Sequence, residues 1–135
     1  MSYKYSKGYQ IIGDLSGSDD TNRNTGIDFE EDYIGFEASG STIMVVSGSK
    51  VGIGTTTPDE ALHVDGNIKL QGDDPRIKIN GDTDSHPGLE LYENGTRKWI
   101  VYNDYTNDNL TFKTNSNIRM SIQQDGNVGI GVTDP

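Results

Sequence analysis

The sequence predicts an all-β chain, built as short β-modules in series, elongated and without substantial helix, whose burial is shared between copies. Three observations carry this. A glycine-flanked motif occurs twice, apolar and polar residues alternate with period two between turn dipeptides, and the apolar content is too thin for an ordinary monomeric core. Hydrophobic residues make up 31% of the 135 positions, whereas average domains hold roughly 45–50% apolar residues with glycine counted. A chain of this size with few large apolar side chains buries too little surface to offset its conformational entropy. Disorder is one escape, favoured by low hydrophobicity and a net charge of −10. Order through oligomerisation is the other, favoured by the regular alternation and by seven Tyr, three Phe and one Trp.

The repeat sets the organisation. Lys50-Val51-Gly52-Ile53-Gly54-Thr55-Thr56-Thr57-Pro58 returns as Asn127-Val128-Gly129-Ile130-Gly131-Val132-Thr133-Asp134-Pro135. Upstream, Asp32-Tyr33-Ile34-Gly35-Phe36 corresponds to Asp108-Asn109-Leu110-Thr111-Phe112, and strand-like runs around Met44 and Met120 lie between the matching blocks. A unit used twice points to serial modules. They divide the chain into an N-terminal attachment arm and loop over residues 1–27, a first module over 28–70, a hairpin module over 71–107 and a second module over 108–135.

Along the chain, the tyrosine-rich stretch 1–12 reads as a short strand or extended docking arm, and 13–26 as a loop dense in Gly, Ser, Asp and Asn. Residues 27–36 and 42–47 read as two strands joined through Ala38-Ser39-Gly40-Ser41. Residues 62–64 and 67–70 read as a strand pair hinged at Asp65-Gly66, a dipeptide that tolerates tight turns. Arg76-Ile77-Lys78-Ile79-Asn80 alternates as a half-buried strand does. Residues 89–93 and 96–102 flank Asn94-Gly95, the strongest hairpin signal in the chain. Residues 110–114 and 118–123 form a further hairpin. One helical turn is expected at Pro58–Leu62, with Thr57 as its cap.

Residues 51–68, V-G-I-G-T-T-T-P-D-E-A-L-H-V-D-G-N-I, resemble the N-V-G-I-G-T-x-x-P-x-x-x-L-H-V-x-G-N segment of tailed-phage fibre proteins, including those of phages that infect cyanobacteria. The match covers 28–70 and again 108–135; the remainder matches in general character. The resemblance implies an elongated fibrous homotrimer, a virion protein contributing to host-surface attachment by multivalent binding. Its partners would be its own copies, other tail or fibre proteins through the N-terminal region, and a host cell-surface glycan or protein. The chain departs from the family in lacking a self-cleaving C-terminal chaperone domain. It also stops where the pattern continues toward L-H-V. A piece of a longer fibre, or a short fibre whose tip another protein supplies, is therefore expected. The rival reading is a monomeric β-sandwich that binds carbohydrate, and a third is a fragment of a polysaccharide-degrading tailspike.

In the fibre reading, Val51, Ile53, Val128 and Ile130 pack around a threefold axis, with the glycines letting chains cross or bend, as glycine does at the collagen axis. The plainer reading makes each motif a bulge or turn beside a buried Ile. Tyr92, Trp99, Tyr102 and Tyr105 are the candidate glycan contacts, since rings stack on sugar faces while amides and carboxylates take hydroxyls. The alternative makes Trp99 and Tyr92 cross-strand partners covering a thin core.

No catalytic, cofactor or metal site is expected. The acid runs Asp19-Asp20, Glu30-Glu31-Asp32 and Asp73-Asp74 read as solvated faces, because neighbours on a strand point to opposite sides, whereas a glycosidase pair converges across a cleft. His63 and His86 lack metal-ligand spacing. Asp82-Thr83-Asp84-Ser85 lacks the glycine and distal glutamate of a calcium loop. Asn94-Gly95-Thr96 is a glycosylation sequon in form but a hairpin turn in context. Without cysteine there is no disulfide or thiolate site. The isoelectric point near 4.4 disfavours nucleic acid and anionic membranes. No apolar run spans a bilayer, and residues 1–7 hold no signal-peptide hydrophobic region, so a virion part made in the host cytoplasm is expected.

Overall fold

In the computed structural model, which describes residues 15–132 and 135, the chain divides into two units, Met1–Gln71 and Gly72–Pro135. Each unit carries one β-sheet, and among the described residues there is no helix. The all-β expectation is met. The stretch 1–12 lies outside the described residues.

The first unit holds β1 (Leu15–Ser16), β2 (Gly26–Phe29), β3 (Tyr33–Ala38), β4 (Ser41–Ser47), β5 (Lys50–Ile53) and β6 (Leu62–Val64). They form a six-stranded sheet in sequence order. The run 27–36, expected as one strand, breaks at its three consecutive acids. Glu30 donates its N–H to the Tyr33 carbonyl at 3.0 Å, so the acids occupy an exposed turn and the chain reverses into β3. The stretch 67–70 forms no strand. Leu62–Val64 instead pairs in parallel with β5, Val51 opposite Leu62 and Ile53 opposite Val64. Val51 N–H donates to Ala61 O at 2.9 Å, and Asp65 N–H to Ile53 O at 2.9 Å. The helical turn expected at Pro58–Leu62 is absent; those residues carry the chain back from β5 to the start of its parallel neighbour.

The second unit holds β7 (Gly88–Glu93), β8 (Thr96–Asp104), β9 (Asn109–Thr114), β10 (Asn117–Ile122) and β11 (Val128–Ile130), a five-stranded antiparallel meander. Asn94 and Gly95 both take positive φ, 49° and 70°, the two-residue turn that matches the twist of the flanking strands. The hairpin expected as its own module is therefore continuous with the second motif in one sheet. Residues 76–80 form no strand and are exposed throughout. Their alternation is strand-like, but they have no neighbouring ladder to satisfy the backbone.

The repeat is structural. Met44 faces Ile53 and Val46 faces Val51 across β4 and β5; Met120 faces Ile130 and Ile122 faces Val128 across β10 and β11. Phe36 pairs with Met44 as Phe112 pairs with Met120. The correspondence extends further back than sequence similarity does, with Leu15 beside Ile27 answering Leu89 beside Val101. The residues assigned to the arm thus include an edge strand of the first sheet.

Candidate functional site: the two apolar sheet faces

Because side chains alternate across a strand, the registers assign each residue to a face. In the first sheet one face is a cross-strand row of Leu15, Ile27, Phe36, Met44, Ile53 and Val64. Beside it runs a second row of Phe29, Ile34, Val46, Val51 and Leu62. In the second sheet the equivalent row is Leu89, Val101, Phe112, Met120 and Ile130, flanked by Asn103, Leu110, Ile122 and Val128. Leu91 and Trp99 extend it. Neither face carries a charged side chain in these rows, in a chain of net charge −10.

Among the described residues these faces are only partly covered, with Phe36, Met44, Phe112 and Met120 half-buried. None of their residues is buried, and Ile53 is 43% and Ile130 81% exposed. Every buried residue among the described ones lies on the other face: Gly35, Val45 and Gly52 in the first sheet, and Tyr102, Asn109, Thr111, Ser121 and Gly129 in the second. The usual amphipathic arrangement, apolar inward and polar outward, is thus inverted in both units. The small and polar face is covered by the chain's own loops. Its polar groups are satisfied, as when Asn109 Nδ2 donates to Ser121 Oγ at 3.2 Å.

The motif's glycines explain the covering. Gly54 and Gly131 both have φ of 75°, a left-handed kink that turns the chain after each Ile. Their N–H groups donate to Ile43 O at 3.0 Å and Arg119 O at 2.9 Å. The returning chain then presses on the preceding glycine. A Cβ on Gly52 would collide with the Thr55 carbonyl oxygen and lie 3.0 Å from Val45 Cγ2; one on Gly129 would lie 2.8 Å from Val132 Cγ2. The glycines therefore serve a close approach within one chain. The Ile residues between them are not buried, so the plainer reading of a turn beside a buried Ile holds for the turn and fails for the Ile. Val51 and Ile53 lie on the apolar face of the first sheet, and Val128 and Ile130 on that of the second. Phe36, Met44, Phe112 and Met120 share those rows and were not singled out from sequence, although they recur at one spacing within the repeat.

The four aromatic candidates do not converge. Trp99 faces Leu91 on the apolar side. Tyr102 lies on the covered side, and a register shift between Leu91 and Tyr92 sets Tyr92 opposite Arg97. Tyr92 and Trp99 are therefore not cross-strand partners either. His86 instead gathers two of the tyrosines: its ring meets Tyr102 edge-on at 5.1 Å and Tyr105 at 4.8 Å. His86 Nδ1 also stands 3.8 Å from an Asp104 carboxylate oxygen. Nothing in the local sequence marks His86, because a loop brings it there.

Beside this cluster, His86, Arg97, Ile100, Tyr102 and Lys113 line a recess of about 180 Å³. Arg97 Nη1 donates to Glu90 Oε1, and the Tyr92 hydroxyl donates to Glu90 Oε2 at 2.7 Å. Those two hydrogen bonds, the tyrosine's first, hold the Glu90 carboxyl below the ordinary carboxylate range. Burial, and then the charge of Asp104, pushes the Tyr102 phenol up. The Thr106 hydroxyl, donating at 2.6 Å, is the main cause that lowers Asp104. Among the described residues there is no cluster of metal-ligating side chains and no helix long and apolar enough to cross a membrane.

No family model matches the chain. An alignment 79 positions long, covering 50% of this chain, is 35% identical to part of an uncharacterized membrane protein of Dictyostelium discoideum and covers 5% of that protein's length.

Proposed function

We propose that the chain is a non-enzymatic structural and adhesive component of a tailed-phage tail fibre, a virion protein acting as a homotrimer in host-surface attachment. One observation carries the assembly half of this reading: the same partly covered apolar face occurs twice in one chain, in the same register. A foreign partner would have to offer two matching apolar surfaces in series, whereas further copies of the chain supply them automatically. The rows contain no charge, so copies of an acidic chain can meet there without burying like charges. Fully burying one large apolar side chain contributes roughly 1.5–3 kcal/mol. These side chains are already partly covered and would contribute less each. Several per face, on two faces, would still offset an association cost of roughly 4–15 kcal/mol.

The fibre half rests on the V-G-I-G-T-x-x-P-x-x-x-L-H-V-x-G-N resemblance. In this reading Val51, Ile53, Val128 and Ile130 belong to two broad apolar layers around the threefold axis. The N-terminal region joins other tail or fibre proteins. The outward surfaces of three copies present the same weak contacts to a host glycan or protein, and linkage raises avidity without a strong single site.

The test is the molar mass in solution by light scattering, for a chain of 14.8 kDa. Three chains per particle is the expected result. A folded monomer at micromolar concentration overturns the homotrimer and favours the carbohydrate-binding β-sandwich, in which one chain closes its own apolar surfaces. Attachment is read separately, from binding of the labelled protein to host cells.

A further inference from the structure

The recess on the covered face of the second sheet has features that the assembly does not use. Its floor is Ile100 and the buried Tyr102. Ile100 stands between Glu90 and Lys113 in one cross-strand row, so the recess lies on the face opposite Trp99 and Val101. Two cations and the His86 ring, which itself meets Tyr105, border it. Arg97 is held in place by Glu90, which Tyr92 in turn fixes. That bond engages one nitrogen of a guanidinium that carries five N–H donors. Lys113 forms no close ion pair with the described residues; its charge acts on Asp104 from a distance, and its ammonium can still take an anion. An apolar floor, a ring edge, one fixed cation and a second, mobile one are the parts needed to seat a ring that bears a carboxylate.

We propose that this recess binds the carboxylated sugar of an acidic surface polysaccharide. The carboxylate would bridge Lys113 and the remaining donors of Arg97 as charge-assisted hydrogen bonds. The sugar's apolar face would lie over Ile100 and the edge of His86. Asp104, beside His86, and Glu90, on Arg97, would accept hydroxyl hydrogens. Elsewhere the chain's net charge of −10 disfavours an acidic polymer, which confines contact to this place. The proposal rests on the adhesive reading above and names its ligand class.

The experiment titrates glucuronic acid, glucose and inorganic sulfate into the assembled protein at fixed ionic strength, followed by the amide resonances of β8 and β9. Glucuronic acid is expected to bind at least about tenfold more tightly than glucose, the worth of one charge-assisted hydrogen bond. Lys113→Gln is expected to remove that preference, while Lys98→Gln, whose ammonium pairs with Glu93 on the exposed hairpin, keeps it. Equal binding of glucuronic acid and glucose overturns the proposal, as does binding unchanged in Lys113→Gln. Sulfate binding as tight as glucuronic acid reduces the recess to a plain anion site and also overturns it. Should Lys113→Gln fail to fold, Lys113→Met, which keeps the aliphatic stem, carries the same expectation. Host-cell attachment that persists while glucuronic acid binds nowhere leaves the adhesive reading standing and removes only the recess.

Discussion

The Thr55 carbonyl oxygen rests against Gly52 on the side from which a Cβ would project. That contact decides the orientation of the first sheet. By folding back over Gly52, the chain covers the Val45 side and leaves Ile53 outward. In the second unit Val132 takes the same position over Gly129. There the nearest atom is a side-chain methyl, which can give way more readily than a backbone carbonyl.

Gly52→Ala is therefore expected to lower stability by at least the roughly 1–3 kcal/mol of an overpacked site. Gly129→Ala should cost less, and Gly17→Ala, where nothing lies within 4 Å, should be nearly silent. Thermal melting of the three variants gives the order directly. A Gly52→Ala melting temperature equal to that of Gly17→Ala would refute the close approach.

The second expectation separates assembly from folding. Ile130 is 81% exposed in the single chain, so Ile130→Asp should barely disturb the fold of one copy. In a trimer it places three carboxylates in an apolar layer, where unpaired charge is strongly unfavourable. Ile53→Asp should act likewise in the first unit. Both should dissociate the assembly in light scattering, while Lys69→Asp, at an exposed position, leaves it intact. Undiminished molar mass for Ile130→Asp and Ile53→Asp would exclude these faces from the interface.

Acid and alkaline behaviour should trace to the Tyr102 neighbourhood. Asp104 is depressed in the folded state, chiefly by the Thr106 hydroxyl. Its contribution is fully present above the unfolded carboxylate value of about 3.9 and is lost as pH falls through the lower folded value. Tyr102 is raised, chiefly by burial, so its contribution is present below about pH 10 and is lost as pH rises through the folded value. Thr106→Val should shrink the acid limb of a melting-temperature profile, to which Glu90 also contributes, and leave the alkaline limb unchanged. Tyr102→Phe should do the reverse. A Thr106→Val profile that follows the wild type below pH 4 would contradict the assignment.

No hydrolysis of host polysaccharide is expected from Glu30, Glu31 and Asp32, which occupy the exposed turn between β2 and β3. A reducing-end assay on purified capsule checks this. Cleavage that is lost in Glu30→Gln or Asp32→Asn would establish a tailspike activity instead.

Much of the fold could be read from local pattern. Asn94-Gly95 between alternating runs determined the β7–β8 hairpin, since backbone turn and side-chain period act over a few neighbours. The recurrence of V-G-I-G, and of Phe36 and Phe112 upstream of it, determined that one unit is built twice. Alternation at Arg76–Asn80 misled, because a strand exists only where another strand completes its ladder, and Ile77 and Ile79 have none. Leu62–Val64 was read as half of a hairpin with 67–70, whereas its partner is β5, reached by a return through Pro58 that no periodicity encodes. Tyr92 and Trp99 were grouped by proximity in sequence, and a one-residue register shift placed them on opposite faces. Which face of each sheet is covered was likewise a tertiary decision. Alternation alone assigns apolar side chains inward, but the chain returning over Gly52 and Gly129 occupies the polar side, and among the described residues the apolar rows are only partly covered.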